Sequence, residues 1–369
     1  MNDRGAMKVV CVVGTRPNFM KIAPIILEMT RAQSDAQALL VHTGQHYDDN
    51  MSDVFFRELE IRQPDVNLDV RSSSHSRQTA EIMLGFEPVL RDYQPDWVLV
   101  PGDVNSTLAC ALVAAKLGIK VAHVEAGLRS FDRLMPEEIN RLLTDQISDL
   151  LFTPSRDASA NLFREGIDPS RVCFVGNVMI DTLVRLLPKT STRWPALRTQ
   201  YGLVSFALVT LHRPSNVDAP GALSKVMDGL SRVAAEIPVL FPVHPRTRSR
   251  LAELRLESVT PNLRLVEPPG YLDFLTLEAN ASVVLTDSGG IQEEASFLGI
   301  PCLTLRPNTE RPITISEGTN RLVRAEPDAM LRAVREALVR PDHAASRPEL
   351  WDGRTAERIL AVLKGTSAE

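Results

Sequence analysis

A strand-to-helix junction in the C-terminal half of the chain carries the clearest chemistry. The segment VLTDSGGIQEEA (284–295) runs from a buried-strand pattern through Ser288, Gly289 and Gly290 into a predicted helix. Small residues at a helix start leave backbone N–H groups open and let a ligand approach closely, which favours phosphate oxygens. An acidic pair ending at Glu294 follows, and a carboxylate there can accept the paired hydroxyls of a ribose. The segment therefore suggests a nucleoside diphosphate site; the alternative is an ordinary turn with conformational glycines and dipole-directed glutamates.

Basic residues follow the first predicted strand. In GTRPNFMK (14–21), Arg16 and Lys21 would both lie near a helix N-terminus. The helix dipole disfavours a cation there, and a bound anion would offset that cost. The alternative for Lys21 is a solvated helix residue. Because the segment is neither GxGxxG nor GxxxxGK[ST], it supports neither a dinucleotide site nor a P-loop.

Carboxylates stand at the ends of other predicted strands. Asp103 follows the strand 97–100, where it could be a site residue or a helix N-cap. Glu125 ends a buried strand, and a carboxyl group buried without a partner has the raised pKa that suits a general acid or base. A structural ion pair with Arg129 is the alternative for Glu125. Glu137 opens the next helix, where it either joins this carboxylate cluster or simply satisfies the dipole.

Two further residues suit phosphate chemistry. His212 follows a predicted strand, where an imidazole can hydrogen-bond a phosphate or move a proton, although a structural role is the alternative. Arg311 follows another strand and is a candidate phosphate ligand. No DxD sequence or metal-ligand spacing occurs in the chain. The sequence therefore predicts neither a metal nor another cofactor.

The elements that must position these residues alternate between strand and helix along the whole chain. This pattern predicts an α/β fold with parallel sheets covered on both faces. The segment around 188–202 has two prolines and no clear period, and it is the predicted linker. We expect two Rossmann-like, doubly wound domains, 1–187 and 203–369, facing across a cleft, with the last helix packing back on the first domain.

Composition narrows the class of protein. The 369 residues are 44% hydrophobic and 24% charged, which is usual for a soluble globular protein. A net charge of −5 argues against a nucleic-acid partner. The four cysteines lie in apolar runs without metal spacing, which indicates a reducing compartment. The N-terminus lacks the regions of a signal peptide, and its apolar run is too short to span a membrane, so we expect a cytoplasmic protein without a membrane anchor.

Taken together, these segments resemble the non-hydrolysing UDP-N-acetylglucosamine 2-epimerases. The segments that match the family in order are GTRPNFMK (14–21), HTGQHYD (42–48), PGDVNST (101–107), HVEAGLR (123–129), PEEINR (136–141), GNVMIDTL (176–183), HRPSN (212–216), DSGGIQEEA (287–295) and TERPI (309–313). Each is weak alone, but together they span nearly the whole chain and are highly specific.

The resemblance implies a fold similar to that of GT-B glycosyltransferases, a homodimer, and a UDP site on the second domain. The residues that would hold UDP are Arg16, His212, Ser288, Gly289, Gly290, Glu294 and Arg311. The residues that would surround the reacting sugar are Lys21, Asp103, Glu125 and Glu137. The implied reaction removes UDP from C1 and a proton from C2 to give a glycal, then re-adds UDP and returns the proton on the opposite face. The implied catalytic residues are Asp103, Glu125, Glu137 and His212.

Two departures from the family pattern affect regulation and substrate choice. Many members have HRREN where this chain has HRPSN (212–216). In bacterial members that region helps to hold a second, allosteric UDP-N-acetylglucosamine, with residues that match Gln45, His46 and Arg77. The loop 131–135 also looks shorter than in many relatives. These differences leave open a related substrate, such as a UDP-2,3-diacetamido sugar acid.

Other activities could use the same set of candidate site residues. A GT-B-type glycosyltransferase with a UDP-sugar donor would share the fold and the phosphate site, but it rarely needs Asp103, Glu125 and Glu137 together. A hydrolysing epimerase would release UDP and free N-acetylmannosamine. A nucleotide-sugar sensor without turnover would be expected to lack the acid and base groups. The carboxylate trio favours the non-hydrolysing epimerase.

Overall fold

The chain forms two compact units in the computed structural model. The structure describes residues 6–31, 35–44, 56, 58–71, 73–219, 221–256, 260–339 and 347–365, but not the side chains of Arg16 and Arg246. One unit comprises Met1–Thr182 with Glu349–Glu369, and the other comprises Leu183–Pro348. Each unit is built on a parallel sheet with helices, so the predicted α/β class is confirmed.

Within the described residues, the six strands of the second sheet follow the same order as the first six strands of the first sheet, which has a seventh strand at its edge. The first contains β1 (Met7–Val13), β2 (Ala36–His42), β3 (Val66–Asn67), β4 (Trp97–Pro101), β5 (Lys120–Val124), β6 (Leu150–Thr153) and β7 (Val172–Phe174). The second contains β8 (Ala207–Thr210), β9 (Val239–Pro242), β10 (Leu263–Val266), β11 (Val283–Thr286), β12 (Cys302–Thr304) and β13 (Asn320–Leu322). Their orders are β3-β2-β1-β4-β5-β6-β7 and β10-β9-β8-β11-β12-β13. In each sheet the order reverses at one point, between β1 and β4 and between β8 and β11.

Helices follow most of the strands. In the first half they are α1 (Arg16–Met29), α2 (His75–Tyr93), α3 (Asn105–Lys116), α4 (Pro136–Ile147), α5 (Arg156–Arg164) and α6 (Val178–Tyr201). In the second half they are α7 (Pro214–Val217), α8 (Ala222–Ala234), α9 (Pro245–Glu253), α10 (Tyr271–Ala279), α11 (Gly289–Leu298), α12 (Ile313–Ser316), α13 (Pro327–Val339) and α14 (Thr355–Leu363). Within the described ranges, no helix has the length and hydropathy needed to cross a bilayer.

The strands are apolar on both faces. Residues Val9 to Val13 of β1 are at most 1% exposed, and β11 is buried along its whole length. Continuous apolar strands are the pattern of a parallel sheet that is covered on both sides. Since ligands of such sheets bind beyond the strand C-termini where the order reverses, the site residues are expected after β1, β4, β8 and β11.

The segment predicted as a linker, 188–202, is helical up to Tyr201. Its residues to Tyr201 continue α6, a helix of 24 residues that contains Pro188 and Pro195. Each proline removes a helical hydrogen bond and disfavours a helix by about 3 kcal/mol. Buried side chains at helical spacing, including Leu186 and Leu197, offset this cost. Because of the two prolines, the helical spacing of these apolar residues was not apparent from the sequence.

The C-terminal residues belong to the first unit through a buried carboxylate. Asp181 of α6 accepts hydrogen bonds from the backbone N–H groups of Thr355 (3.1 Å) and Ala356 (2.7 Å) at the start of α14. Trp351 Nε1 donates to the carbonyl of Pro154 at 3.1 Å. Burial raises the pKa of Asp181 to about 6, although the two N–H donors act in the opposite direction.

The Asp181→Asn variant should change how stability depends on pH. Because the pKa of Asp181 is raised in the folded state, its protonated form favours folding, and that contribution is lost as pH rises towards about 6. The asparagine does not titrate and keeps one acceptor oxygen. The melting temperature of wild type minus that of the variant should therefore fall between about pH 4 and about pH 7.5. A pH-independent difference would contradict the assignment.

Candidate functional site

At the reversal point of the first sheet, a buried ion pair joins α1 to the end of β5. Lys21 Nζ donates to Glu125 Oε2, and the two residues are only 7% and 4% exposed. Glu125 has a φ of +67°, a conformation that L-residues rarely adopt and that costs energy. Gly102 lies against this pair, since a Cβ on it would be 2.8 Å from Lys21 Nζ. Any side chain at position 102, at the end of β4, would therefore occupy the space that Lys21 Nζ takes.

The alternative ion pair between Glu125 and Arg129 does not form. Arg129 instead contacts Asp145 at 2.7 Å and Glu165 at 2.6 Å. Burial raises the pKa of Asp145, but His123 and Arg129 outweigh it and hold that pKa below its usual value. His123 Nδ1 lies 2.6 Å from Asp145 Oδ1, and its Nε2 lies 2.8 Å from the carbonyl oxygen of Gly102. The imidazole thus fixes the turn that presents Asp103.

Asp103 is held by α4 and does not serve as a cap. Arg141 Nη1 donates to its carboxylate, and Asn140 Nδ2 donates to its backbone carbonyl at 2.8 Å. The N-cap of α3 is Val104, so the capping interpretation of Asp103 is not supported. Glu137 lies in the first turn of α4 and is partly exposed.

Arg16 begins α1, directly after the loop that follows β1. Its side chain lies outside the described part of the chain, so its role in holding UDP stays a prediction. Lys21, one turn further along the same helix, faces Glu125 and is not the solvated residue of the alternative interpretation.

At the reversal point of the second sheet, Asp287 organises the residues after β8. Its fully buried carboxylate accepts from the backbone N–H groups of His212 and Arg213 and from Asn216 Nδ2, at 3.0 to 3.2 Å. His212 Nδ1 lies 3.1 Å from Asp287 Oδ1, while the imidazole is 51% exposed. Burial raises the pKa of Asp287, but the His212 imidazole and the other donors leave it below its usual value. The exposed ring is thus oriented by an ionised carboxylate.

The predicted phosphate loop forms the N-terminus of α11. Ser288 is its N-cap residue and makes no side-chain capping bond, and Gly289 and Gly290 are the first two helical residues. N–H groups at such a position have no intrahelical partner and favour an anion. A Cβ on Gly289 would lie 2.3 Å from Arg311 Nη1, so glycine is required for the arginine to reach this position.

Guanidinium groups surround this helix start. Arg311 contacts Glu293 at 2.8 Å and Glu310 at 2.7 Å. Arg306 and Arg213 contact the same Glu310 at 2.7 and 3.4 Å. Burial raises the pKa of Glu310, but the arginines hold it far below its usual range. Three guanidinium groups therefore converge on one carboxylate beside the start of α11, and clustered cations next to open N–H groups suit a phosphate ligand.

The acidic pair of α11 divides between two environments. Glu293 faces Arg311, whereas Glu294 accepts from the Tyr271 hydroxyl at 2.6 Å. Glu294 is 1% exposed and borders Glu278. Burial raises the pKa of Glu294 to about 7, against the opposing hydrogen bonds of Tyr271 and Glu278. The ribose role of Glu294 stays a prediction.

The residues predicted for an allosteric site are only partly described. Gln45 and His46 lie outside the described residues. Arg77 lies on α2, where it is exposed and its Nε donates to Glu81 at 2.7 Å. In the part of the chain that the structure describes, no cluster of His, Cys, Asp or Glu has the arrangement of a metal site.

Sequence reasoning missed several residues that shape both sites. They are Glu138, Arg141, Asp145, Asp287, Arg306 and Glu310. Asp287 carried a usable signal, because it follows a buried strand as Asp103 does. The pairs Glu138–Arg141 and Arg306–Glu310 are three and four residues apart, so spacing could have indicated them. The contacts of Asp145 with His123 and of Arg141 with Asp103 join residues 22 and 38 positions apart, and spacing alone could not identify those.

Comparisons with known proteins agree on one family. The sequence profile described as UDP-N-acetylglucosamine 2-epimerase matches residues 28–364. A UDP-N-acetylglucosamine 2-epimerase of Methanocaldococcus jannaschii is 43% identical over 97% of this chain and 99% of its own length. The UDP-2,3-diacetamido-2,3-dideoxy-D-glucuronate 2-epimerase of Pseudomonas aeruginosa is 42% identical over 90% of this chain and 92% of its own. The M. jannaschii UDP-GlcNAc 2-epimerase, crystallised with UDP-GlcNAc and UDP, has a TM-score of 0.89 at 42% identity, covering 97% of this chain and 100% of that one.

The Asp287→Asn variant should weaken UDP binding by about tenfold, or about 1.4 kcal/mol. The amide would place donor hydrogens against the N–H groups of His212 and Arg213, so the imidazole would lose its orientation. Isothermal titration with UDP measures the change, and Asp228→Asn, at an exposed position on α8, is the matched control. Equal affinity in both variants would remove Asp287 from the site.

Proposed function

Because the chain belongs to the UDP-N-acetylglucosamine 2-epimerase family, we propose that it is an isomerase that interconverts UDP-N-acetylglucosamine and UDP-N-acetylmannosamine. The observation that carries the proposal is the pair of carboxylates at the C-terminal edge of the first sheet. Asp103 and Glu125 are each held by a buried cation, Arg141 and Lys21. Carboxylates with a fixed orientation, in a site that is largely buried from water, suit the transfer of a proton to or from carbon.

The reaction cannot rely on simple deprotonation, because the C2 hydrogen of the sugar is not acidic. Instead a carboxylate takes the C2 proton while the C1–oxygen bond to UDP breaks. A C1–C2 double bond forms, which gives a glycal and free UDP in the site. UDP then adds back to C1, and a proton returns to the opposite face of C2. The two faces require more than one acid or base, for which Asp103, Glu125 and Glu137 are the proposed residues.

The departing diphosphate needs charge stabilisation. The second unit supplies open N–H groups at the start of α11, the guanidinium of Arg311 and the imidazole of His212. Donors that are already oriented stabilise developing charge without reorganisation during the reaction. Arg16 is proposed to contribute from the first unit, and Glu294 to bind the ribose hydroxyls.

A related substrate is the second candidate. The P. aeruginosa relative that acts on a diacetamido glucuronate is as similar to this chain as the relatives that act on UDP-N-acetylglucosamine. Both substrates carry UDP on C1 and an acetamido group on C2, so the same elimination would serve either one. Side-by-side turnover of the two sugars distinguishes them.

We also propose a cytoplasmic homodimer. The four cysteines are unpaired thiols, which fits a reducing compartment.

The dimer is proposed from exposed apolar side chains on and before α4, which are Phe131, Leu134, Ile139 and Leu143. Exposed apolar residues this close together favour burial against a second copy. Sedimentation velocity measures the oligomeric state.

Proton NMR of UDP-N-acetylglucosamine incubated with the enzyme in heavy water tests the activity. We expect UDP-N-acetylmannosamine with deuterium at C2, because the proton equilibrates with solvent during each turnover. Free UDP together with free N-acetylmannosamine would show hydrolysis instead. An unchanged sugar, with UDP binding intact, would favour the diacetamido substrate or a transferase.

The variants Asp103→Asn and Glu125→Gln should lower turnover by about a hundredfold or more, because each removes a proposed acid or base. Their affinity for UDP should stay within a few fold, since the proposed phosphate ligands lie mainly in the second unit. Initial rates and UDP titration together separate the two effects. Wild-type rates in both variants would refute the acid–base assignment.

A further inference from the structure

A continuous chain of buried polar contacts links a loop to Asp103. Glu138 accepts from the backbone N–H groups of Ser130 (3.0 Å) and Phe131 (2.9 Å). Arg141 Nε donates to the same Glu138 carboxylate at 2.9 Å, and Arg141 Nη1 donates to Asp103. The side chains of Glu138 and Arg141 are each only 2% exposed, whereas that of Asp103 is 28% exposed.

The loop end of this chain is strained. Phe131 has a φ of +57° although it is not glycine, and its side chain is 74% exposed. A bulky residue in the left-handed region is strained and persists only where its surroundings impose that conformation. The N–H of Phe131 is held by Glu138, and the N–H of the next residue, Asp132, donates to Ser130 Oγ at 3.3 Å, so hydrogen bonds on both sides hold this conformation.

The charges along the chain explain why it is rigid. Arg141 is a single buried cation shared between two carboxylates, Glu138 and Asp103. A buried charge that loses its partner is strongly destabilising, so neither carboxylate can move away from Arg141 without a cost in stability. The guanidinium group is planar and its N–H groups have fixed directions, so it orients both carboxylates at once. An ammonium group has no such fixed geometry.

We propose that Glu138 and Arg141 are positioning residues that couple the loop 130–135 to the carboxylate of Asp103. The inference rests on the proposed function, in which Asp103 contacts the reacting sugar. When the loop conformation changes, the Glu138 carboxylate moves and Arg141 moves with it. The Asp103 carboxylate then no longer points at C2 of the sugar. The apolar side chains of the loop, Phe131 and Leu134, thereby influence catalysis without contributing an acid or base.

The Arg141→Ala variant tests the catalytic half of the proposal. We expect kcat to fall about a hundredfold while UDP affinity stays within a few fold, because Asp103 loses its fixed direction. Added guanidinium at millimolar concentration should restore at least a tenth of the lost kcat, whereas an equal concentration of sodium chloride should not. Arg91→Ala is the matched control, since Arg91 also bonds a glutamate on its own helix but at the surface.

Hydrogen exchange tests the coupling half. In Arg141→Ala the peptide that contains Ser130 and Phe131 should exchange faster, because the Glu138 carboxylate that accepts from their N–H groups loses the cation that orients it. The sheet of the same unit should exchange as in wild type. If Arg141→Ala does not fold, Arg141→Lys provides the same two readouts, because it keeps the charge and loses the fork.

The outcomes separate this inference from the proposed function. A wild-type kcat in the Arg141 variant, with Asp103→Asn inactive, would overturn the positioning role alone. Low kcat without guanidinium rescue and without faster exchange at Ser130 and Phe131 would also overturn it. Wild-type turnover in Asp103→Asn would instead refute the acid–base assignment on which the inference rests.

Discussion

The free-energy cost of burying carboxylates determines how the loops are arranged at the C-terminal ends of the strands in both sheets. Glu125, Asp145, Asp287 and Glu310 are all at least 96% buried, and each meets cations or N–H donors that come from other elements. An ionised carboxylate without such partners costs several kcal/mol in a protein interior. Each acid therefore fixes the loops that supply its donors. The geometry available for chemistry is the consequence of satisfying these charges.

The two sheet ends resolve this constraint differently. In the first unit, Lys21 pairs with Glu125, and Arg141 is shared between Glu138 and Asp103, so buried cations direct the acids at this edge. In the second unit, three guanidinium groups converge on the single carboxylate of Glu310. Clustered guanidinium groups beside a helix N-terminus suit an anion such as a diphosphate.

Local sequence was sufficient for the α/β fold. Buried runs ending in polar residues also predicted that Asp103, Glu125, His212 and Ser288 follow strands, and in the structure they lie just after β4, β5, β8 and β11. Sequence failed where the partner is distant. Glu125 pairs with Lys21, 104 residues away, and not with Arg129, four residues away.

The same limit explains why the helix within the predicted linker was not expected. Two prolines in 188–202 suggested a break, yet the helix continues because Leu197 packs in a buried cluster with Leu240 and Leu277, which are distant in sequence. Local penalties of a few kcal/mol are overridden when tertiary packing repays them. Spacing of apolar residues was the better signal than the prolines.

The HRPSN departure can be understood from the same constraint. Arg213 and Asn216 are retained, and both bind the buried Asp287, while Asn216 also donates to the carbonyl of Leu305. The substituted positions, Pro214 and Ser215, are exposed. Proline at the first position of a short helix costs no hydrogen bond. The substitution therefore preserves the groups that orient His212 and changes only the outer surface, so catalysis and any regulation through that surface can vary independently.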